Sequence, residues 1–180
     1  MSLTDNSFAA AEGVYQRQAS SFRRTRAAIL DGAKSLVSQH GVSDISMVDI
    51  ADVSEVSRAT LYNHFRDKGS LLRALVESEI ERIFVIAESK QSPVDALFVL
   101  SEEISSNTAL DGVRRKDPAI LTNILSHTGD SLWEQLRIGL SLLMQDQEIA
   151  SIASLWLIGQ TLQPISVQES RAQATKLLQR

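Results

Sequence analysis

The side chains best suited to contact a nucleic acid are concentrated in one short segment, residues 58–64. Five side chains of this segment carry hydrogen-bond donors: Arg58, Thr60, Tyr62, Asn63 and His64. An arginine can form two parallel hydrogen bonds with a guanine edge, while hydroxyl, amide and imidazole groups reach base edges and phosphates. These residue types favour contact with a double helix, provided that one element presents them together.

Catalysis and metal binding have much weaker support. The chain contains no cysteine and three histidines, and it lacks the Gly-x-Ser-x-Gly, phosphate-loop and His-Glu-x-x-His patterns. Ser126, His127 and Asp130 are close in sequence. Neighbouring residues of a helix point in different directions, however, which suits neither a catalytic triad nor a metal site. We therefore expect a protein that is not an enzyme and needs no cofactor or metal.

Length and composition indicate a folded chain. Its 180 residues are 43% hydrophobic and 22% charged, as is typical of globular proteins, and they suffice for one domain or two small ones. The longest apolar runs, residues 83–87 and 96–100, are far shorter than the ~20 residues that cross a bilayer. The N-terminal residues lack the basic start and apolar stretch of a signal peptide. The sequence thus predicts a soluble cytoplasmic protein.

Charge is unevenly distributed along the chain. Residues 17–73 contain nine basic and six acidic side chains, a net charge of +3, whereas the whole chain carries -4 and the remainder therefore -7. Phosphate contact needs a locally positive surface and tolerates a negative remainder. The asymmetry favours a polyanion as the partner of the N-terminal part.

The elements that must position the donor segment are helices. We expect residues 1–19 to form a mobile arm and a first helix to span about 21–39 and end at Gly41, which can adopt the left-handed cap conformation. The Ser46-to-Asp49 spacing predicts a capping box that opens a helix over about 47–53, and Ser57 caps another over about 58–64.

The two short helices have helix-turn-helix spacing. Ile50, Ala51, Val56 and Leu61 can fix them at a steep angle around a tight turn, so that the second helix presents its polar face outward. The spacing alone is equally compatible with a capped pair of core helices that have an ordinary polar face.

The remaining sequence also predicts helices. Asp67 caps a long one, Ser92-Pro93 and Asp117-Pro118 start two more, and residues 105–116 are expected to form a loop with a basic triplet. Further helices are predicted over about 131–145, 146–163 and 166–179. The fold class is therefore all-α.

The run from Arg58 to Leu72 resembles the signature of the tetracycline-repressor (TetR) family of bacterial regulators, with Thr60-Leu61-Tyr62, His64-Phe65, Lys68 and a leucine pair in place. The resemblance covers about residues 22–72. It implies a three-helix helix-turn-helix domain, residues 20–66, followed by an effector-binding and dimerisation domain, residues 67–180. It also implies a homodimer that binds a near-palindromic DNA operator, most often as a repressor, and is released by a small molecule.

By this resemblance, Arg58, Ala59 and Thr60 begin the recognition helix in or beside the major groove, and Tyr62, His64 and Lys68 contact phosphates. The full set of expected DNA-binding residues is Ser46, Met47, Ser57, Arg58, Ala59, Thr60, Tyr62, Asn63, His64 and Lys68. Leu61 and Phe65 are expected in the core. Glu55 stands where the family usually has a turn glycine; a left-handed glutamate costs ~1 kcal/mol, and its charge disfavours nearby phosphate.

The C-terminal half carries the expected dimer interface and effector site. The helix over 146–163 is apolar on nearly all sides, so a second subunit is expected to cover it, although a central core helix of a monomer fits the same pattern. The expected interface residues are Ile149, Ile152, Ala153, Trp156, Gly159, Leu177 and Leu178. The expected effector-binding residues, for an apolar or amphipathic ligand, are Phe84, Phe98, Asn123, His127 and Trp133. The alternative function is a helical dimeric module that binds a ligand or protein without specific DNA binding.

Overall fold

The computed structural model describes residues 5–126 and 131–179, and this part of the chain folds into ten helices. They are α1 (Asp5–His40), α2 (Met47–Val53), α3 (Arg58–His64), α4 (Lys68–Glu88), α5 (Pro93–Ser105), α6 (Thr108–Lys116), α7 (Pro118–Ser126), α8 (Ser131–Met144), α9 (Gln147–Leu162) and α10 (Val167–Leu178). No helix in these two ranges is both long enough and apolar enough to pass through a bilayer.

Local capping signals define the N-terminal helices. Ser46 and Asp49 form the predicted capping box of α2, and the Ser57 side chain accepts the Thr60 amide at the start of α3. Asp67 caps α4, and Gly41 ends α1 with a positive φ of 79°. The starts of α2, α3 and α4 and the end of α1 were predicted from sequence at nearly the observed residues, because each cap is made within three or four residues.

Two hydrophobic cores lie along the chain. The first joins α1, α2, α3, the beginning of α4, α6 and α7 through buried side chains such as Ile29, Leu61 and Val113. The second joins the end of α4 with α5, α8, α9 and α10 through side chains such as Leu97 and Leu140. We call residues 20–75 the head and residues 76–179 the body; the first core continues past the expected boundary at residue 66 to Leu75, and Val113 and Leu121 of the body also pack in it.

Residues 108–116 form helix α6, so the loop predicted over 105–116 is wrong. Asn107 caps the helix by accepting the Leu110 amide, and Val113 packs into the core of the head. Gly112 lies against α1 so closely that an added Cβ would be 2.3 Å from the Val37 carbonyl oxygen. Contact with a distant helix thus stabilises a segment whose own composition is polar and glycine-containing.

Helix α1 also differs from expectation, since it begins at Asp5. Residues 5–19 continue the first helix, and the mobility of the predicted arm stays a prediction. The polar, small residues of this stretch gave no apolar periodicity to extend the helix, but helix α1 is continuous and needs no cap at residue 20.

Candidate nucleic-acid interface

The turn between α2 and α3 fixes the relative direction of these two helices. Glu55 adopts φ 54°, the left-handed conformation expected at this position, and the Val56 amide donates to the Ala51 carbonyl over 3.1 Å. Ser54 packs against α1 at Gly32, where a Cβ would come within 2.3 Å of the serine hydroxyl. The turn is therefore held against α1 on one side and leaves α3 facing outward on the other.

Helix α3 presents one polar face to solvent. Leu61 is fully buried and Phe65, which follows the helix, is nearly so, while Arg58, Ala59 and Asn63 are exposed and Tyr62 is 54% exposed. This division follows from the helical repeat, because residues 59 and 63 lie opposite position 61 and residues 58 and 62 lie at its sides. The structure brings these four expected DNA-binding residues together on one surface.

The residues at the two helix starts have local roles. Ser57 is exposed, and its hydroxyl lies 2.8 Å from the Thr60 hydroxyl. Ser46 is also exposed, and its hydroxyl donates to the Asp49 carboxylate over 2.6 Å. Both serines remain accessible at the N-termini of their helices, where free amides favour anions.

Met47 does not lie on this surface. Its side chain is only 9% exposed and packs in the head core with Ile50 and Ala51, so the prediction that it is presented to DNA is wrong for the side chain. The reason is the amphipathic repeat of α2, which places residues 47, 50 and 51 on its inner face.

His64 is packed against α1. Its ring centroid lies 4.1 Å from that of Phe22, and its buried Nδ1 has no hydrogen-bond partner within the described part of the chain. Burial, together with the Arg26 guanidinium, lowers the pKa of His64, so the neutral form is favoured. The structure thus gives His64 a packing role at the end of α3, and its contact with phosphate remains a prediction.

Lys68 is tied to the turn between α1 and α2. Its ammonium donates to the Val42 carbonyl over 3.0 Å and to the Ile45 carbonyl over 2.9 Å. The side chain is half-buried. Its first observed role is therefore to hold this turn, which the sequence did not indicate, and phosphate contact by Lys68 also remains a prediction.

Further basic side chains lie near α3. Arg23 and Arg24 are exposed on α1, and Arg66 is exposed just after α3 beside Asp67. Arg26 is half-buried and stacks over the Phe65 ring at 4.6 Å. Arg26 and Arg66 therefore add positive charge at the end of α3, and Arg23 and Arg24 are exposed on the turn of α1 that precedes Arg26.

The expected dimer residues are divided between surface and core. Ile152 and Gly159 are exposed, Ala153 is buried, and the other four expected residues, Ile149, Trp156, Leu177 and Leu178, are half-buried against the second core. The sequence missed the exposed apolar neighbours that complete this surface. Those neighbours are Ile138 and Leu142 on α8 and Leu155 and Leu162 on α9.

The groove between α8 and α9 and the pocket beside Lys34 and Arg82 are not lined by the expected effector residues. Phe84 is buried with its ring against Gly139, Trp133 is half-buried in the same core, and Phe98 lies under the Arg171 guanidinium at 4.0 Å. Asn123 is exposed on α7, and His127 lies outside the described residues. Effector binding by this set remains a prediction.

The described helices, with a short helix pair that presents a donor-rich face, define a helix-turn-helix protein with an appended helical body. The family model for bacterial regulatory proteins of the tetR family matches residues 29–75, which include every expected DNA-binding residue. The matched segment of the chain, residues 29–75, therefore has the sequence pattern of the TetR family of bacterial regulatory proteins.

The chain is also similar to two bacterial HTH-type transcriptional regulators. The chain is 28% identical over 113 residues to the HTH-type transcriptional regulator TtgR of Pseudomonas putida, an alignment that covers 60% of this chain and 54% of TtgR. It is 33% identical over 146 residues to the HTH-type transcriptional regulator AcrR of Shigella flexneri, covering 78% of this chain and 63% of AcrR. The matched region thus spans between half and two thirds of these relatives.

Solved structures share the fold. The dihydroxyacetone kinase operon activator DhaS superimposes with a TM-score of 0.62 at 16% identity, over 86% of this chain and 93% of DhaS. The TetR family repressor AlkX from Dietzia sp. gives a TM-score of 0.61 at 21% identity, over 85% of this chain and 92% of AlkX. The body therefore has the helical arrangement of these proteins although its sequence has diverged.

Proposed function

We propose that this protein is a ligand-responsive transcriptional regulator that binds a near-palindromic DNA operator as a homodimer, most simply as a repressor. The observation that carries the proposal is the exposed face of α3, with Arg58, Tyr62 and Asn63 held outward by the buried Leu61. A helix of this kind fits the major groove, where its N-terminal residues reach base edges. In this proposal residues 20–66 bind DNA, and residues 67–180 bind the effector and the second subunit.

Each exposed residue of α3 has a distinct proposed role. Arg58 stands at the first position of the helix and makes no ion pair within the described ranges, so its guanidinium is available to a guanine edge. Ala59 offers a methyl group to thymine. Tyr62 and Asn63, one turn later, are placed for phosphate or base contact. Arg58 therefore contributes to sequence discrimination and Tyr62 to general affinity.

Dimerisation is proposed to use the apolar stripe of α8 and α9, which we define as Ile138, Leu142, Ile152, Leu155 and Leu162. Leu142 is 73% exposed and Leu155 69% exposed, which is unusual for leucines grouped on one surface. A groove of about 360 Å³ lies between α8 and α9 beside them, and exposed Gly159 leaves room for close approach. Two such stripes related by a twofold axis would bury each other.

The twofold pairing would place two α3 helices in successive major grooves about one turn, ~34 Å, apart or somewhat more. A small molecule bound in the body would change this separation by moving α4, which belongs to both cores. A coupling free energy of ~1–3 kcal/mol is sufficient for regulation.

The test is binding of the purified protein to the intergenic DNA that flanks its gene, measured by fluorescence anisotropy at several salt concentrations. Arg58→Ala should weaken the specific site by about tenfold and relax preference at one base position, since a good bidentate contact contributes ~1–3 kcal/mol. Tyr62→Phe should weaken specific and random DNA similarly.

Lys176→Ala is the matched control, because it removes one positive charge from exposed α10 in the body. It should change neither affinity nor preference. If the wild-type protein binds no flanking DNA at low salt, or if Lys176→Ala has the same effect as Arg58→Ala, the role assigned to α3 is wrong, and the module that binds a ligand or protein without specific DNA binding becomes the better description.

A further inference from the structure

Among the side chains of the body that contact the head, Asp117 bonds directly to the turn between α1 and α2. Asp117, between α6 and α7, is only 7% exposed. Its Oδ2 accepts the Val42 amide over 2.5 Å and the Ser43 amide over 3.4 Å, and its Oδ1 accepts the Ser43 hydroxyl. We call these three contacts the Asp117 bridge. They join residues about 75 positions apart in sequence.

The segment that Asp117 contacts is the turn between α1 and α2. On the head's own side, the Lys68 ammonium holds the Val42 and Ile45 carbonyls of the same turn. The backbone of residues 42–45 is therefore bound by a cation from α4 at its carbonyls and by an anion from the α6–α7 junction at its amides. The turn is fixed by both structural units and not by the head alone.

Two glycines make this approach possible. A Cβ on Gly41 would lie 2.3 Å from the Asp117 Oδ2, and a Cβ on Gly112 would lie 2.3 Å from the Val37 carbonyl oxygen. Helix α1 and its C-terminal glycine therefore lie in close contact with α6 and with the Asp117 side chain.

The turn leads directly into the DNA-reading part of the head. Ile45 is buried and anchors the end of the turn, and Ser46 caps α2 immediately afterwards. Helix α2 in turn packs on α3 through Ala51 and Leu61 in one core. The position of residues 42–46 therefore affects the angle at which α3 faces the double helix.

The charge state of the bridge is compatible with this role. Burial alone would raise the pKa of Asp117, but the hydrogen bonds from Ser43 and Val42 and the nearby Lys68 ammonium hold its pKa below the usual value. The side chain is therefore a carboxylate, and its hydrogen bonds from the turn are charge-assisted.

We propose that Asp117 is a positioning residue for DNA binding, through which the body sets the α1–α2 turn and thereby the orientation of α3. This inference rests on the proposed function, because it assigns a consequence to the orientation of α3.

The test compares Asp117→Asn and Asp117→Ala with Asp111→Ala. Asp111 lies in helix α6, six residues before Asp117, and its carboxylate pairs with Arg115 of the same helix. Its removal changes the net charge by the same amount and removes no hydrogen bond to the α1–α2 turn. Amide hydrogen exchange of Val42 and Ser43 reports the bridge, and anisotropy with a genomic fragment that the wild-type protein binds reports DNA affinity.

Asp117→Ala should accelerate exchange of the Val42 and Ser43 amides about tenfold or more, the scale of a lost charge-assisted hydrogen bond, and leave exchange in α5 unchanged. It should also weaken DNA binding by roughly tenfold. Removing a negative charge would by itself strengthen binding to DNA, so a loss of affinity distinguishes positioning from electrostatics. Asp117→Asn, which keeps one acceptor oxygen, should lie between wild type and alanine.

If the Val42 and Ser43 amides exchange at the same rate in Asp117→Ala and in the wild-type protein, Asp117 does not hold these amides and the proposal is wrong. Faster exchange with unchanged or tighter DNA binding would overturn its positioning role. If Asp117→Ala fails to fold, Asp117→Asn and Ser43→Ala decide the same two questions with smaller perturbations. If the wild-type protein binds no DNA, the proposed function fails and the positioning role fails with it, while hydrogen exchange still decides whether the bridge exists.

Discussion

Glu55 is the residue at which the turn between α2 and α3 is most open to improvement. Its φ of 54° lies in the left-handed region, which costs a non-glycine residue roughly 1–2 kcal/mol. Glycine removes that cost but gains ~0.4–1 kcal/mol of conformational entropy in the unfolded chain. Glu55→Gly should therefore stabilise the head by a net value of about 0.5–1 kcal/mol.

Hydrogen exchange measures this effect within the head. The Leu61 amide, which donates to the Ser57 carbonyl over 2.9 Å inside α3, should exchange about 2–5 times more slowly in Glu55→Gly than in the wild-type protein. Tryptophan fluorescence is a less suitable probe, because Trp133 and Trp156 both lie in the body. Glu55→Gln keeps a side chain on the left-handed backbone position and should leave the exchange rate of the Leu61 amide unchanged.

The same two variants separate strain from charge in DNA binding. Both remove a carboxylate near the proposed interface, so both should tighten DNA binding at low salt by roughly twofold for each subunit, an effect that shrinks as salt is added. If Glu55→Gly destabilises the head, the left-handed conformation is not strained here. If Glu55→Gln binds DNA no more tightly at low salt, the carboxylate of Glu55 does not face the phosphates.

Two further predictions concern the dimer and pH. Leu155→Ser should weaken self-association by roughly 30- to 1000-fold in sedimentation equilibrium. The 69% of the Leu155 side chain that is exposed gives ~1–2 kcal/mol on burial, and a twofold interface contains this residue twice. Ile124→Ser, at an exposed position outside the apolar stripe, should have no effect, and equal behaviour of the two variants would place the interface elsewhere. Burial, and to a smaller extent Arg26, lower the pKa of His64 in the folded protein. The neutral His64 ring therefore contributes fully to the free energy of unfolding above the unfolded pKa of about 6.5, and this contribution is lost as the pH falls from there through the lower pKa of the folded protein. His64→Gln should therefore reduce the drop in melting temperature between about pH 7.5 and 5.5, whereas exposed His40→Gln should retain it, and an unchanged drop in His64→Gln would contradict the packing role of this ring.

Short-range signals in the sequence were sufficient to predict most helices. The Ser46 capping box, the Asp67 cap and the Ser92-Pro93 start all lie at the observed helix ends, and the left-handed position of Glu55 follows from its place in the turn. Each of these features depends on contacts within about four residues, so the residue types at fixed spacing encode it directly.

Predictions failed where a distant contact decided the outcome. Helix α6 was expected to be a loop because residues 105–116 are polar, but Val113 is buried against the first core and Gly112 against α1. Met47 was expected at the surface because of its position in the motif, but the inner face of α2 required it in the core. In both cases packing outweighed the local pattern.

The sequence by itself determined the class of fold, the helix-turn-helix segment and the set of donors on α3, since helical periodicity and capping are properties of short stretches. Only the tertiary structure decided that His64 packs on Phe22, that Lys68 binds the carbonyls of a turn and that Asp117 joins the body to the head. The physical reason is distance along the chain. A hydrogen bond between residues about 75 positions apart leaves no periodic trace in the sequence and exists only once the first core, which includes Ile45 and Val113, has formed.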